Sequence, residues 1–161
     1  MSTTGLTVFD ETIHLTNAWL NDVMEALGWE DRHRAYLGLR LTLQALRDCL
    51  TVEEAAQLAA QLPMLLRGIY FEGWHPAHKP VKERDRDAFL KRVYEGFHQM
   101  PTDEPIDAAA VVQAVFGLLS RRLSDGGRGA RQRLPKSLRE LWLEPTETPA
   151  GTAGRRQAAG R

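Results

Sequence analysis

Leu62-Pro63-Met64-Leu65-Leu66-Arg67-Gly68-Ile69-Tyr70 stands seventy-two positions before Leu134-Pro135-Lys136-Ser137-Leu138-Arg139-Glu140-Leu141-Trp142. The two runs share a Leu-Pro opening, a Leu-Arg pair and an aromatic at the last place. Proline suits the first turn of a helix, where its missing N–H would have no partner anyway. Each run therefore predicts a short helix.

The pairing extends to both sides of these runs. Trp19-Leu20, Val23 and Glu25 have counterparts seventy positions on in Phe89-Leu90, Val93 and Glu95. Leu39, Leu43, Leu46 and Leu50, followed by Thr51, match Val112, Phe116, Leu119 and Leu123, followed by Ser124, at a spacing of seventy-three. Caps, prolines and apolar positions agree together, as an internal repeat requires. The reading is an all-α helical bundle built from two similar helical halves. Half one covers about 7–74, a proline-bearing linker 75–84, and half two about 85–143, together one domain over 7–143.

Within half one, Thr7 with Asp10 predicts a capping-box-like start to the first helix. Ile13, Leu20, Val23, Met24 and Leu27 form its inward face, and Gly28 ends it. Asp31 and Thr51 are placed to cap the next two helices. Met64 to Phe71 predicts a short, largely buried helix. In half two, Gly126, Gly127 and Gly129 each cost roughly 1 kcal/mol against alanine inside a helix, so the third helix there is expected to be short, frayed or absent. Residues 144–161 are rich in Pro, Thr, Gly, Ala and Arg without periodicity, and predict a disordered tail.

The chain has 161 residues, with 21 basic and 21 acidic side chains and an apolar fraction of 43%. Those proportions are those of an ordinary globular domain and exclude collagen-like and disulfide-scaffold classes. Cys49 is the single cysteine, so no internal disulfide is expected. No run approaches the roughly 18 apolar residues of a membrane helix. Residues 1–31 lack the basic n-region of a secretory signal. A cytoplasmic location without membrane attachment is the expectation.

The run Leu46-Arg47-Asp48-Cys49-Leu50-Thr51-Val52-Glu53-Glu54-Ala55-Ala56, with Gln61-Leu62-Pro63 through Arg67-Gly68 and Tyr70-Phe71-Glu72-Gly73-Trp74, resembles the bacterial DUF2267 family. So do Gly28-Trp29, Asp31-Arg32-His33-Arg34-Ala35-Tyr36, and the closing Leu134-Pro135 to Leu141-Trp142. The resemblance spans about 7–143. It implies a small all-helical bacterial domain and no activity, and it carries no catalytic residues over. The glycines of 125–129 depart from the family's usual pattern.

Charge is uneven along the chain. Asp10, Glu11, Asp22, Glu25, Glu30 and Asp31 face no Lys or Arg in residues 1–31. Arg121, Arg122, Arg128, Arg131, Arg133, Lys136 and Arg139 crowd the stretch 121–139. Balanced totals favour pairing between the two ends over a nucleic-acid footprint.

No phosphate loop, dinucleotide fingerprint or nucleophile elbow is present. No cofactor is expected, no catalytic residue is assigned, and the chain reads as a non-enzyme. Three functions remain open. The first is a non-catalytic protein-interaction or adaptor module, with Arg67, Tyr70, Trp74 and Arg139 as contact residues along an aromatic-lined groove between the halves. Its partner is an unidentified protein, or a second copy in a homo-oligomer. The second is nucleic-acid or anion binding through Arg121, Arg122, Arg128, Arg131, Arg133 and Lys136. The third is a metal-dependent enzyme using the His75/His78 loop, whose spacing matches no strong metal motif.

Overall fold

Helix α1 (Thr7–Leu27) opens on an uncapped residue, Leu6, which is extended and offers no side-chain acceptor. Thr7 is thus inside the helix and makes no capping box. Asp10 turns back instead, accepting from the Ser2 hydroxyl and from the Thr4 N–H and hydroxyl at 3.1 and 2.9 Å. Hydrogen bonding from Ser2 is the main reason its carboxyl is held below the ordinary value. At the other end Gly28 takes the left-handed conformation, φ +65°, and lets the Trp29 N–H reach the Met24 carbonyl at 2.9 Å.

Helix α2 (Arg32–Cys49) is capped by Asp31, which accepts from the His33 and Arg34 N–H groups. Helix α3 (Val52–Ala60) is capped by Thr51, and α4 (Met64–Phe71) follows Pro63 directly. A single 3-10 turn, Pro76–His78, begins the connection to the second run. That run comprises α5 (Arg86–His98), α6 (Ala108–Arg122), α7 (Arg128–Gln132) and α8 (Lys136–Arg139), which passes into a 3-10 turn at Glu140–Trp142. Asp85 and Asp107 cap α5 and α6. This computed structural model describes residues 2–99 and 105–142, and all regular elements among them are helical. The tail expected at 144–161 lies outside the described residues.

The order long, long, short, short occurs twice, each second-run helix being shorter than its first-run counterpart. Helix α7 is cut to five residues because Gly126 and Gly127 precede it at φ +66° and +76°. Paired positions also share burial: Val23 with Val93, Leu43 with Phe116, Leu46 with Leu119, Leu66 with Leu138, and Tyr70 with Trp142.

The two runs do not sit side by side. Helices α2 and α6 pack on each other at the centre, while α1 lies on α6 and α5 lies on α2. Helix α3 meets α7. Small residues permit the crossings: a Cβ at Gly38 would stand 3.0 Å from Val111, and one at Gly96 would collide with Leu41. The core is one continuous apolar cluster drawing on both runs. Full burial of a Leu, Val or Phe side chain contributes roughly 1.5–3 kcal/mol each, and these side chains come from both runs.

The proline-bearing connection is pinned as well. The Val81 N–H donates to the Asp48 carbonyl at 2.9 Å, Lys79 pairs with Asp48 at 3.6 Å, and Arg92 donates to the Glu83 carbonyl at 2.6 Å.

Candidate functional site

A three-residue apolar run occupies about 200° of a helix, and α4 has neighbours on one side only. Leu66 and Tyr70 fill the inner side. Met64 and Leu65 are left outside, 47% and 41% exposed, so the helix is not largely buried as its composition suggested. Helix α1 has the same two-sided character. Thr16, Trp19, Leu20 and Val23 face the core, whereas Phe9 and Ile13 are 46% and 39% exposed. Ile13 therefore leaves the inward stripe assigned to it, because the α1 stripe begins to meet the core only one turn later.

These outward residues meet. A groove of about 520 Å³ runs between α1 and α4, lined by Phe9, Ile13, Met64, Leu65, Gly68 and Ile69, with Thr4, Thr12 and Glu72 at its margins. The Thr12 hydroxyl accepts the Leu65 N–H at 2.9 Å, which fixes the two walls against each other. Gly68 leaves the wall open: a Cβ there would meet nothing within 4 Å. A glycine inside a helix costs about 0.5–1 kcal/mol against alanine, and here neither φ nor crowding requires it.

The contact residues expected from sequence are scattered around this groove. Tyr70 is 0% exposed; its hydroxyl donates to the Ala55 carbonyl at 2.9 Å and burial pushes its pKa up. It belongs to the core and has no surface to offer. Arg67 reaches over the end of α3, donating to the Ala59 and Leu62 carbonyls at 2.9 and 3.0 Å. Trp74 is half-buried against Phe71 with ring centres 5.1 Å apart, and its Nε1 is buried without a hydrogen-bond partner. Arg139 lies on the second run, away from all three. Among the described residues these four do not come together on one groove, because Tyr70 is enclosed in the core and Arg139 lies on α8. Where α3 meets α7 there is a small polar cavity of about 40 Å³.

The basic segment divides. Arg122 pairs with Asp22 at 2.6 Å and Arg133 with Glu54 at 3.2 Å, joining the late segment to acids of the first run. Arg121 is exposed. Arg128, Arg131, Lys136 and Arg139 surround an open recess on α7 and α8. His75 and His78 are exposed on the 3-10 turn, and among the described residues no three His, Cys, Asp or Glu side chains converge as a metal site would need. Cys49 is buried with an Arg92 nitrogen 3.8 Å from its sulfur, and burial raises its thiol pKa. A buried, protonated thiol is a packing group and not a nucleophile. No helix among the described residues is long and apolar enough to cross a membrane.

A family model described as an uncharacterized conserved protein, DUF2267, matches residues 16–141. The chain belongs to the DUF2267 family. No curated protein matches it. The DUF2267 match takes in most of both helix runs and the α4 wall of the groove, but begins after Phe9, Thr12 and Ile13 of the α1 wall.

The groove was not read from the sequence, although its signal was present. Met64-Leu65-Leu66 is too wide an apolar arc for a helix whose Met64 and Leu65 stay exposed, and Gly68 interrupts a helix at a position with no turn to make.

Proposed function

We propose that this DUF2267 protein is a non-catalytic interaction module that captures an amphipathic helix of a protein partner in the α1–α4 groove. The observation that carries the reading is the fixed apolar groove whose wall is held open by Gly68. Contiguous exposed apolar surface with a polar margin marks a binding face, and an amphipathic helix fills such a groove with residues at three- and four-residue steps.

Contrast between the runs supports this. Seventy-two positions beyond Met64, Leu65 and Gly68 stand Lys136, Ser137 and Glu140. The same place in the second run is polar, so the architecture itself does not demand exposed apolar residues there.

Charge selects the partner. Among the described residues Glu72 is the one charged residue lining the groove, and Asp10 and Glu11 lie between Phe9 and Ile13 on α1, whereas Asp22 is already paired with Arg122. A helix with apolar anchors and flanking Lys or Arg complements that surface, whereas two α1 helices meeting face to face would set acid against acid. The reading places the module in the cytosol of a bacterial cell, where a lone thiol such as Cys49 remains reduced.

A photo-crosslinking residue in place of Gly68, compared with one in place of Ser137, tests it in the native cytosol. Support is a cross-linked product found only from position 68, mapping to a basic amphipathic helix and lost on Phe9→Asp. Equal products from both positions, or a product that is a second copy of this chain, would overturn it.

A further inference from the structure

Of the basic residues in 121–139 that the first run does not neutralise, four converge and Arg121 stands apart. Arg128, Arg131, Lys136 and Arg139, with Gln132 and Glu140, line a recess of about 520 Å³. Among the described residues none of the four cations has an ion pair, while their neighbours Arg122 and Arg133 are paired. Arg128 and Arg131 are three apart on α7, and Lys136 and Arg139 three apart on α8. Side chains at that spacing share a helix face, and like charges there repel. Helices of five and four residues are a poor place to store such repulsion. Seventy-two positions earlier the same places hold Ala56, Ala59, Met64 and Arg67, so the repeated architecture does not impose the cluster.

We propose that the recess between α7 and α8 is a binding site for a compact polyphosphate anion. Guanidinium groups bond two phosphate oxygens at once, and three arginines with one lysine supply such donors from two directions. A concave site of this volume falls within the roughly 300–1,000 Å³ range of small-ligand pockets. A single phosphate would leave two of the four cations unused. An extended nucleic-acid backbone needs a basic stripe, and here Arg122 and Arg133 are already engaged elsewhere. Glu140 is the one carboxylate in the lining and opposes the ligand.

Isothermal titration calorimetry of the full chain with tripolyphosphate, beside orthophosphate and a short single-stranded DNA, tests the proposal. At about 50 mM salt, tripolyphosphate binds more tightly than either comparison ligand, and binding weakens as salt rises. Arg131→Gln with Arg139→Gln lowers the affinity roughly tenfold or more, as loss of two charge-assisted contacts requires. Arg121→Gln, outside the recess, leaves it within about twofold, and Glu140→Gln tightens it by a few-fold. The proposal fails if tripolyphosphate gives no heat at low salt. It fails equally if Arg121→Gln costs as much as the recess variants, or if the DNA binds more tightly than tripolyphosphate. None of these outcomes touches the α1–α4 groove, which lies on the first run.

Discussion

Gly127 provides a sharp test of how the end of the described chain is packed. Its φ is +76°, and a Cβ placed on it would lie 2.5 Å from Cζ2 and 3.2 Å from Cε2 of Trp142. The indole cannot retreat easily. It is stacked on Phe116 with ring centres 4.2 Å apart, and its Nε1–H donates to the Ser120 hydroxyl at 2.8 Å. Gly126 is the matched control: its φ is +66°, but a Cβ there would meet only the Ser120 carbonyl, at 3.6 Å. The left-handed conformation alone costs an alanine about 1–2 kcal/mol. Forcing a methyl into a filled site adds about 1–3 kcal/mol. Gly126→Ala is therefore expected to lose about 1–2 kcal/mol, and Gly127→Ala about 2–5 kcal/mol, with the difference arising at Trp142. Urea denaturation followed by tryptophan fluorescence measures both. Trp142→Phe removes Cζ2 from the contact and should narrow the gap between the two glycine variants when each is made in that background. Equal losses at Gly126 and Gly127 would refute the claim that the backbone of 127 is fitted to the indole.

Three further outcomes follow from other sites. Gly68→Ala should raise stability by about 0.5–1 kcal/mol, since the new methyl relieves backbone entropy and touches nothing; a loss of stability in calorimetry would mean that the groove wall is not open. Arg47→Met should cost about 1–3 kcal/mol, because Arg47 donates to the buried Tyr70 carbonyl at 2.8 Å and leaves that acceptor unpaired when removed; unchanged midpoints in denaturation would count against this. Tyr70→Phe should lose about 1 kcal/mol at neutral pH and flatten the alkaline stability profile. The Tyr70 pKa is raised above its ordinary 10.0, so its contribution is full below that value and fades as pH climbs beyond it. A variant that keeps the parent's alkaline slope would show that Tyr70 is not its source.

Much of the bundle was legible because its signals are local. Asp31, Thr51 and Gly28 declare helix ends through groups one to three residues away, and the glycines at 126 and 127 shorten α7 by backbone conformation alone. The start of α1 was misread because Thr7 has a cap's side chain but Asp10 found better partners in Ser2 and Thr4. Periodicity gave Ile13 and Met64 the right helix and the wrong side, since a stripe shows which residues align and not which neighbour reaches them. Tyr70 and Trp74 illustrate the same gap: an aromatic between helices becomes core or surface according to packing of segments far apart in the chain. The recess depended on a distant fact too, namely that Asp22 and Glu54 claim Arg122 and Arg133 and leave Arg128, Arg131, Lys136 and Arg139 around it.

The interlocking of the two helix runs has a consequence for how the chain could be cut. Since α1 rests on α6 and α5 on α2, neither run owns a complete interior. A protease nick in 75–84 would leave two fragments that still hold each other as a complex, while either fragment expressed alone would lack half its walls. The connection is thus a tether that keeps two partners at high local concentration, and no hinge motion can separate the runs without melting the molecule. Signals between the groove on one run and the recess on the other would travel through shared core side chains, not through a moving joint.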